Sequence, residues 1–393
     1  MDSESVDMWR PTTPLISLRA AADRLFLASD DQVMAVAAHS KRIEWQFSVS
    51  GTQLMHAPVS NGESVFVGTD DGTLYALDIR TGREVWIFEA DHAIYGAPAV
   101  QGDDLFVGSH DGRVYALDAR DGRERWRYDA DGGISATPTV AADTIYVGGD
   151  SHEVAALRRR SGFEEWRYGT RAPVDVGPVV VDDVLYVGTH PGTLHVLDRG
   201  TGTSLSTRSL GRSPCRGMVR EGETLVVSAG DTAFGFDVTT RRFDVAWQAQ
   251  FGAEVGVPTA TDGVVYCVTY DGAVTEIDVS SGRLNWEFDT ERPVYARPSV
   301  AGETLYVGSE EGYLYTVPIG GGADETSVYV PEGHDGAGSG PEQVGGTPAS
   351  SGSSETEVFT PGADTGQETR YCSACGAAVD PGDSYCSSCG EKL

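Results

Sequence analysis

The stretch Val65-Phe-Val-Gly-Thr-Asp-Asp-Gly-Thr-Leu-Tyr-Ala-Leu-Asp78 returns forty residues later as Leu105-Phe-Val-Gly-Ser-His-Asp-Gly-Arg-Val-Tyr-Ala-Leu-Asp118, and again as Leu305-Tyr-Val-Gly-Ser-Glu-Glu-Gly-Tyr-Leu-Tyr-Thr-Val317. Its glycine recurs on the same grid as Gly68, Gly108, Gly148, Gly188 and Gly308; where it lapses, at Ala28, Ser228 and Val268, a β-rich run still ends in register. A proline ladder (Pro58, Pro98, Pro138, Pro178, Pro258, Pro298) is broken by Met218. A tryptophan ladder (Trp86, Trp126, Trp166, Trp286) has Trp45 and Trp247 one residue off the grid and Ser206 in place of an aromatic. Three ladders in register mark eight units between about residue 17 and residue 319.

Inside each unit the side chains alternate with period two over short β-branched and aromatic runs, separated by Gly, Asp and Pro, which specifies strands. The third unit divides into four: Gly96–Val100, Asp104–Val107, Arg113–Leu117 and Glu124–Tyr128, with Asp111-Gly112 as the tight hairpin turn between the second and third. Eight four-stranded units predict an all-β, eight-bladed β-propeller of antiparallel blades around a channel. The first strand of each blade lines the axis, consistent with small residues beside the proline such as Ala57, Ala97, Gly177 and Gly217. The fourth-strand tryptophans fill the wedge between blades, each burying about 150–250 Å². The eighth unit lacks an obvious fourth strand, and the segment Val6 to Arg10 around Trp9 is expected to supply it, with Ser327–Val330 as the competing candidate.

Charge narrows the functional classes. The 393 residues carry 59 acids and 29 bases, a net charge of -30, which excludes the ordinary basic nucleic-acid binder. Only Lys41 and Lys392 are lysines. A strongly acidic, lysine-poor surface suits a cytosol held at high salt, where self-repulsion is screened. No apolar run approaches the roughly 18 to 20 residues that span a bilayer, and the start Met1-Asp-Ser-Glu-Ser-Val-Asp-Met8 has neither a basic nor an apolar leader region. A cytoplasmic protein with no membrane partner is the expectation.

The unit GxxDGxLYALDxxTGxxxW, read from Gly68 to Trp86 and from Gly108 to Trp126, resembles the pyrroloquinoline-quinone (PQQ) repeat over residues 1–319. The resemblance implies a propeller and leaves function open, since the repeat occurs both in quinoprotein dehydrogenases and in non-catalytic scaffolds. In the dehydrogenases a tryptophan and a disulfide of adjacent cysteines sandwich the quinone, and Glu and Asn side chains hold calcium. Here Cys215 and Cys267 are far apart, and the two asparagines, Asn61 and Asn285, fall in a hairpin turn and on an outer strand. The non-catalytic branch is therefore expected, without PQQ.

Functional side chains are expected where repetition breaks. On the face carrying the turns between second and third strands, the connections between blades place a varied set at the channel mouth: Tyr95, Ser135, Asp175, Cys215, Val255 and Tyr295, with His56, Arg216 and Arg297 nearby. His56, Tyr95, Asp175, Arg216, Tyr295 and Arg297 form the candidate ligand surface. The recurring Asp78, Asp118, Asp198 and Asp278 read as turn caps. His110 and His190 read as exposed polar residues at turns.

Residues 320–369 hold nine acids and no base, are rich in Gly, Ser, Thr and Pro, and read as an extended acidic linker. Residues 370–393 carry Cys372-Ser-Ala-Cys375-Gly and Cys386-Ser-Ser-Cys389-Gly, two knuckles whose four thiolates suit one structural zinc. They resemble the short zinc ribbons at the ends of many prokaryotic proteins. Disulfides or iron are the alternatives for the same sulfurs. The combined expectation is a non-enzymatic scaffold for a protein partner with a tethered zinc ribbon; the alternative is a small-ligand sensor or PQQ-dependent dehydrogenase-like protein using the channel mouth.

Overall fold

The computed structural model describes residues 17–319 apart from positions 22, 39, 50, 51, 241 and 242, and beyond them the backbone of five short strands. The chain divides into two units, Met1–Phe359 and Thr360–Leu393. The first holds eight antiparallel sheets, each built on consecutive strands in chain order, with Val358–Phe359 added to the outer edge of one. Blade one runs Ser17–Ala21, Arg24–Ala28, Gln32–Ala37 and Ile43–Ser48; blade three runs Ala99–Gln101, Asp104–Ser109, Arg113–Asp118 and Glu124–Asp129. The eight-bladed propeller read from the repeat is the observed architecture.

The first strands begin later than the sequence suggested, because proline has no N–H to give a ladder. In blade three pairing starts at Ala99↔Phe106, just after Pro98. The two blades without the proline respond accordingly. With Leu18 at that position, blade one pairs over five residues, and with Met218, blade six pairs over the seven of Cys215–Glu221. Blades carrying the proline pair over two or three.

Neighbouring blades are locked by the tryptophans. Five of the rings, all but Trp286, lie over a glycine of the next blade and donate Nε1–H to a carbonyl there: Trp45 to Ile79 (2.9 Å), Trp86 to Ala119 (3.1 Å), Trp126 to Arg159 (2.9 Å), Trp166 to Arg199 (3.0 Å) and Trp247 to Val279 (2.7 Å). Gly122, at φ +72°, shows why the turn is glycine: a Cβ would stand 2.7 Å from the Trp86 ring. The second-strand aromatic completes the stack, as in Phe106–Trp126 at 5.9 Å between ring centroids.

Where Ser206 breaks the ladder, the neighbouring blade compensates. Arg242 stands at the grid position of Gly122 and Gly202, and Phe243 beside it is buried against Tyr186 of blade five, centroids 6.1 Å apart. Its φ of +54° is the cost of turning inward.

Closure differs from expectation. The fourth strand of blade eight is Ser327–Tyr329, pairing with Leu314–Pro318. The competing segment takes the place expected for residues 6–10, which lie outside the described residues. The ring then closes by packing: Leu18, Leu25, Leu27 and Met34 of blade one share a core with Tyr306 and Leu314 of blade eight. The Ala20 N–H donates to Ser299 Oγ at 2.9 Å, and the Lys41 ammonium lies 4.4 Å from the centre of the Tyr306 ring. Outer edges also accept added strands. Val358–Phe359 pairs with Val245–Gln250 of blade six, and Glu342–Gln343 with Ser327–Tyr329.

In the second unit, Arg370–Tyr371 pairs antiparallel with Ala378–Val379.

Candidate functional site

The channel mouth is built by the interblade connections, and a backbone bond and a buried anchor hold each of them to one face. The residue leaving a fourth strand bonds back to the hairpin turn, as Ala90 N–H to Gly72 O (2.9 Å) and Ala130 N–H to Gly112 O (2.7 Å). A buried aliphatic residue then anchors the connection: Ile94, Ile134, Val174 and Val294 are at most 2% exposed. The next residue therefore points outward, and this is how Tyr95, Asp175 and Tyr295 reach the mouth, Tyr295 being 54% exposed.

The grid misplaces two positions. Val255 is fully buried and performs the anchoring role itself, consistent with Trp247 lying one residue late in that unit. Cys215 is likewise buried, within the lengthened first strand of blade six. Burial pushes the Cys215 and Cys267 thiols up to about 11 and about 12, so both are inert packing residues.

The six candidate residues do not converge on one point. Arg216 and Tyr295 are linked through two further residues: Arg216 Nε donates to Glu254 Oε1 (2.6 Å), its guanidinium lies 5.8 Å from the Tyr270 ring centre, and the Tyr270 ring packs tilted against Tyr295 with centroids 5.4 Å apart. Tyr95 meets the His110 ring edge to face at 5.2 Å, and His110 Nε2 lies 2.7 Å from Asp150 Oδ2. Asp175 lies 4.0 Å from His190 Nδ1. Arg297 sits on the first strand of blade eight's approach, its Nε donating to Thr259 Oγ1 (3.0 Å).

His56 is a packing residue. Its Nε2 lies 3.1 Å from Ile94 O, and burial pushes its pKa down to about 4. His110 and Tyr270 had a legible signal: both occupy the position after the second strand, which reads Asp70, His110, Asp150, His190, Tyr270, Glu310 around the ring. The recurring aspartates cap their turns, as Asp78 Oδ1 accepting from Thr81 N–H (2.8 Å) and Asp278 Oδ1 from Ser281 N–H (2.8 Å). Hydrogen bonding from the turn residues lowers both pKa values.

Asn61 Oδ1 accepts from the Glu63 and Ser64 N–H groups (3.0 and 2.8 Å), and Asn285 Nδ2 donates to Glu276 Oε1 (3.0 Å), so both asparagines serve the blades. Among the described residues, no three His, Cys, Asp or Glu side chains gather as a metal site. Cys372, Cys375, Cys386 and Cys389 lie outside the described residues.

An outer membrane protein assembly factor BamB of Bordetella pertussis is 34% identical over 91 residues, 21% of this chain and 24% of that protein. The match thus spans about a quarter of the curated relative's length. The crystal structure of BamB from Moraxella catarrhalis aligns with TM-score 0.66 and 22% identity over 79% of this chain and 98% of that one. A quinohemoprotein alcohol dehydrogenase from Pseudomonas putida HK5 aligns with TM-score 0.63 and 15% identity over 79% of this chain and 71% of that one. At such identities both structures establish the propeller alone. The profile described as outer membrane protein assembly factor BamB matches residues 7–94, 90–218, 150–250 and 192–362, most of the sequence, and the chain belongs to that repeat family.

Proposed function

We propose that the chain is a non-enzymatic propeller scaffold that docks a protein partner at the channel mouth, with residues 370–393 folded on one structural zinc as a tethered second contact. The carrying observation is the dispersal of the mouth's side chains into cross-blade pairs, Arg216 with Glu254, His110 with Asp150 and Tyr270 with Tyr295. Catalysis needs a nucleophile, base or metal converging on one reacting atom. A rigid polar and aromatic rim suits recognition of a surface. Membership in the assembly-factor family supports a protein partner.

For the ribbon, the support is the sequence pattern, two CxxCG knuckles whose four thiolates suit one tetrahedral metal. Such a short segment lacks an independent core, so metal binding would supply its folding energy. Four thiolates kept reduced suit a cytoplasmic setting, which this reading adopts.

The test is cross-linked co-purification at high salt from the native source, comparing wild type with Arg216→Glu combined with Tyr295→Ala. A stoichiometric partner lost in the variant, with unchanged melting, supports docking at the mouth. A quinone absorbance with alcohol-dependent dye reduction would contradict it.

A further inference from the structure

The first strands form the inner ring: each occupies the axial edge of its sheet and adjoins the next from blade two round to blade eight, which adjoins blade one. In the six blades that carry it, the proline just before the strand is buried, while the residues on either side of it, Val59 apart, stay accessible and line the channel. In blade eight the residue before Pro298 is Arg297. In blade one, where Leu18 occupies the proline's place and is 2% exposed, the residue after it is Arg19. The remaining flanking positions are small, apolar or hydroxylic, such as Ala57, Ala97, Gly177 and Gly217. Two guanidinium groups from adjacent blades thus share the lumen of a protein whose net charge is -30.

Neither arginine meets a carboxylate among the described residues. Arg297 is held by Thr259 Oγ1 through Nε alone. Crowding by the surrounding channel wall, then the like charge of Arg19, pushes Arg297 down to about 10 although the residue stays open to solvent, with no acid opposing the shift. Arg297 remains cationic at neutral pH. Arginine offers a planar fork of donors matched to oxyanions.

We propose that the central channel holds a small multivalent oxyanion, a phosphate ester or a polycarboxylate, between Arg19 and Arg297. This site is independent of partner docking at the mouth. The ligand removes a like-charge repulsion the empty ring carries, so it stabilises the closure between blades eight and one.

Pyrophosphate and citrate, each titrated into the full chain at fixed ionic strength, are followed by calorimetry and melting temperature. At least one should bind with one-to-one stoichiometry and raise the melting temperature saturably. Which of the two binds separates phosphate from carboxylate recognition. Arg19→Gln and Arg297→Gln should each weaken binding at least tenfold, while Arg216→Gln at the mouth leaves it within twofold. Without ligand, the Arg19→Gln/Arg297→Gln double variant should melt no lower than wild type, since its two substitutions relieve repulsion. Absence of saturable binding by both anions, or binding unchanged in the double variant, overturns the proposal.

Discussion

At the scale of single residues, the interface between blades depends on a bulky ring in one blade and a missing side chain in the next. The tryptophan ladder was legible because it is periodic, but spacing alone does not pair each ring with a glycine of the next blade such as Gly82, Gly122, Gly162 or Gly202. At Ser206 both halves of the pair are replaced together, and Phe243 fills the wedge from the opposite side. No spacing rule could reveal this, because the substitute comes from the other blade. Phe243→Ala should therefore cost about 3–5 kcal/mol, as core phenylalanine truncations do, and Ser206→Ala should stay within about 0.5 kcal/mol. Denaturant unfolding measures both. Equal effects would place the wedge's packing elsewhere.

His56 gives a second prediction at this scale. Its folded pKa of about 4 lies below the ordinary value near 6.5, so the folded state binds fewer protons between those values. Its contribution is intact above about pH 6.5 and lost as pH falls toward 4. His56→Gln, which keeps a donor toward Ile94 O, should reduce the slope of stability against pH in that window. An unchanged slope would show that His56 titrates normally in the fold.

At the scale of strands, the proline ladder predicted the first strands and also explains their lengths, since pairing lengthens where Leu18 and Met218 replace proline. The closing strand was legible only as the second of two candidates. Ser327–Tyr329 is three residues set in a stretch without periodicity, whereas residues 6–10 carry a tryptophan at nearly the ladder spacing. Deleting residues 327–330 should expose the edge of Leu314–Pro318 and lower the melting temperature by several degrees. Melting like wild type would return the closing role to another segment. The mouth was partly legible for the same reason: connections announce themselves by irregularity, but Glu254 and Tyr270 become partners of Arg216 only once the ring brings neighbouring blades together.

At the scale of the whole molecule, 59 acids against 29 bases leave a surface whose self-repulsion opposes compactness at low salt. The Debye length falls from about 10 Å at 0.1 M to about 3 Å at 1 M, so the melting temperature should rise steeply over that range of potassium chloride. A flat response would mean that acids and bases are locally balanced, as they are around Arg113, which reaches both Asp91 and Asp129. The repeat made the architecture plain from sequence, while function depends on the few places where eight similar blades differ.

Metal and chromophore content of the full chain, purified at high salt without added metal or quinone, tests the central claim most directly. The account predicts one zinc per chain, lost when Cys372 and Cys375 are changed to serine, with neither stoichiometric calcium nor a quinone absorbance band. Stoichiometric calcium together with a quinone band would contradict it and make the channel mouth an active site.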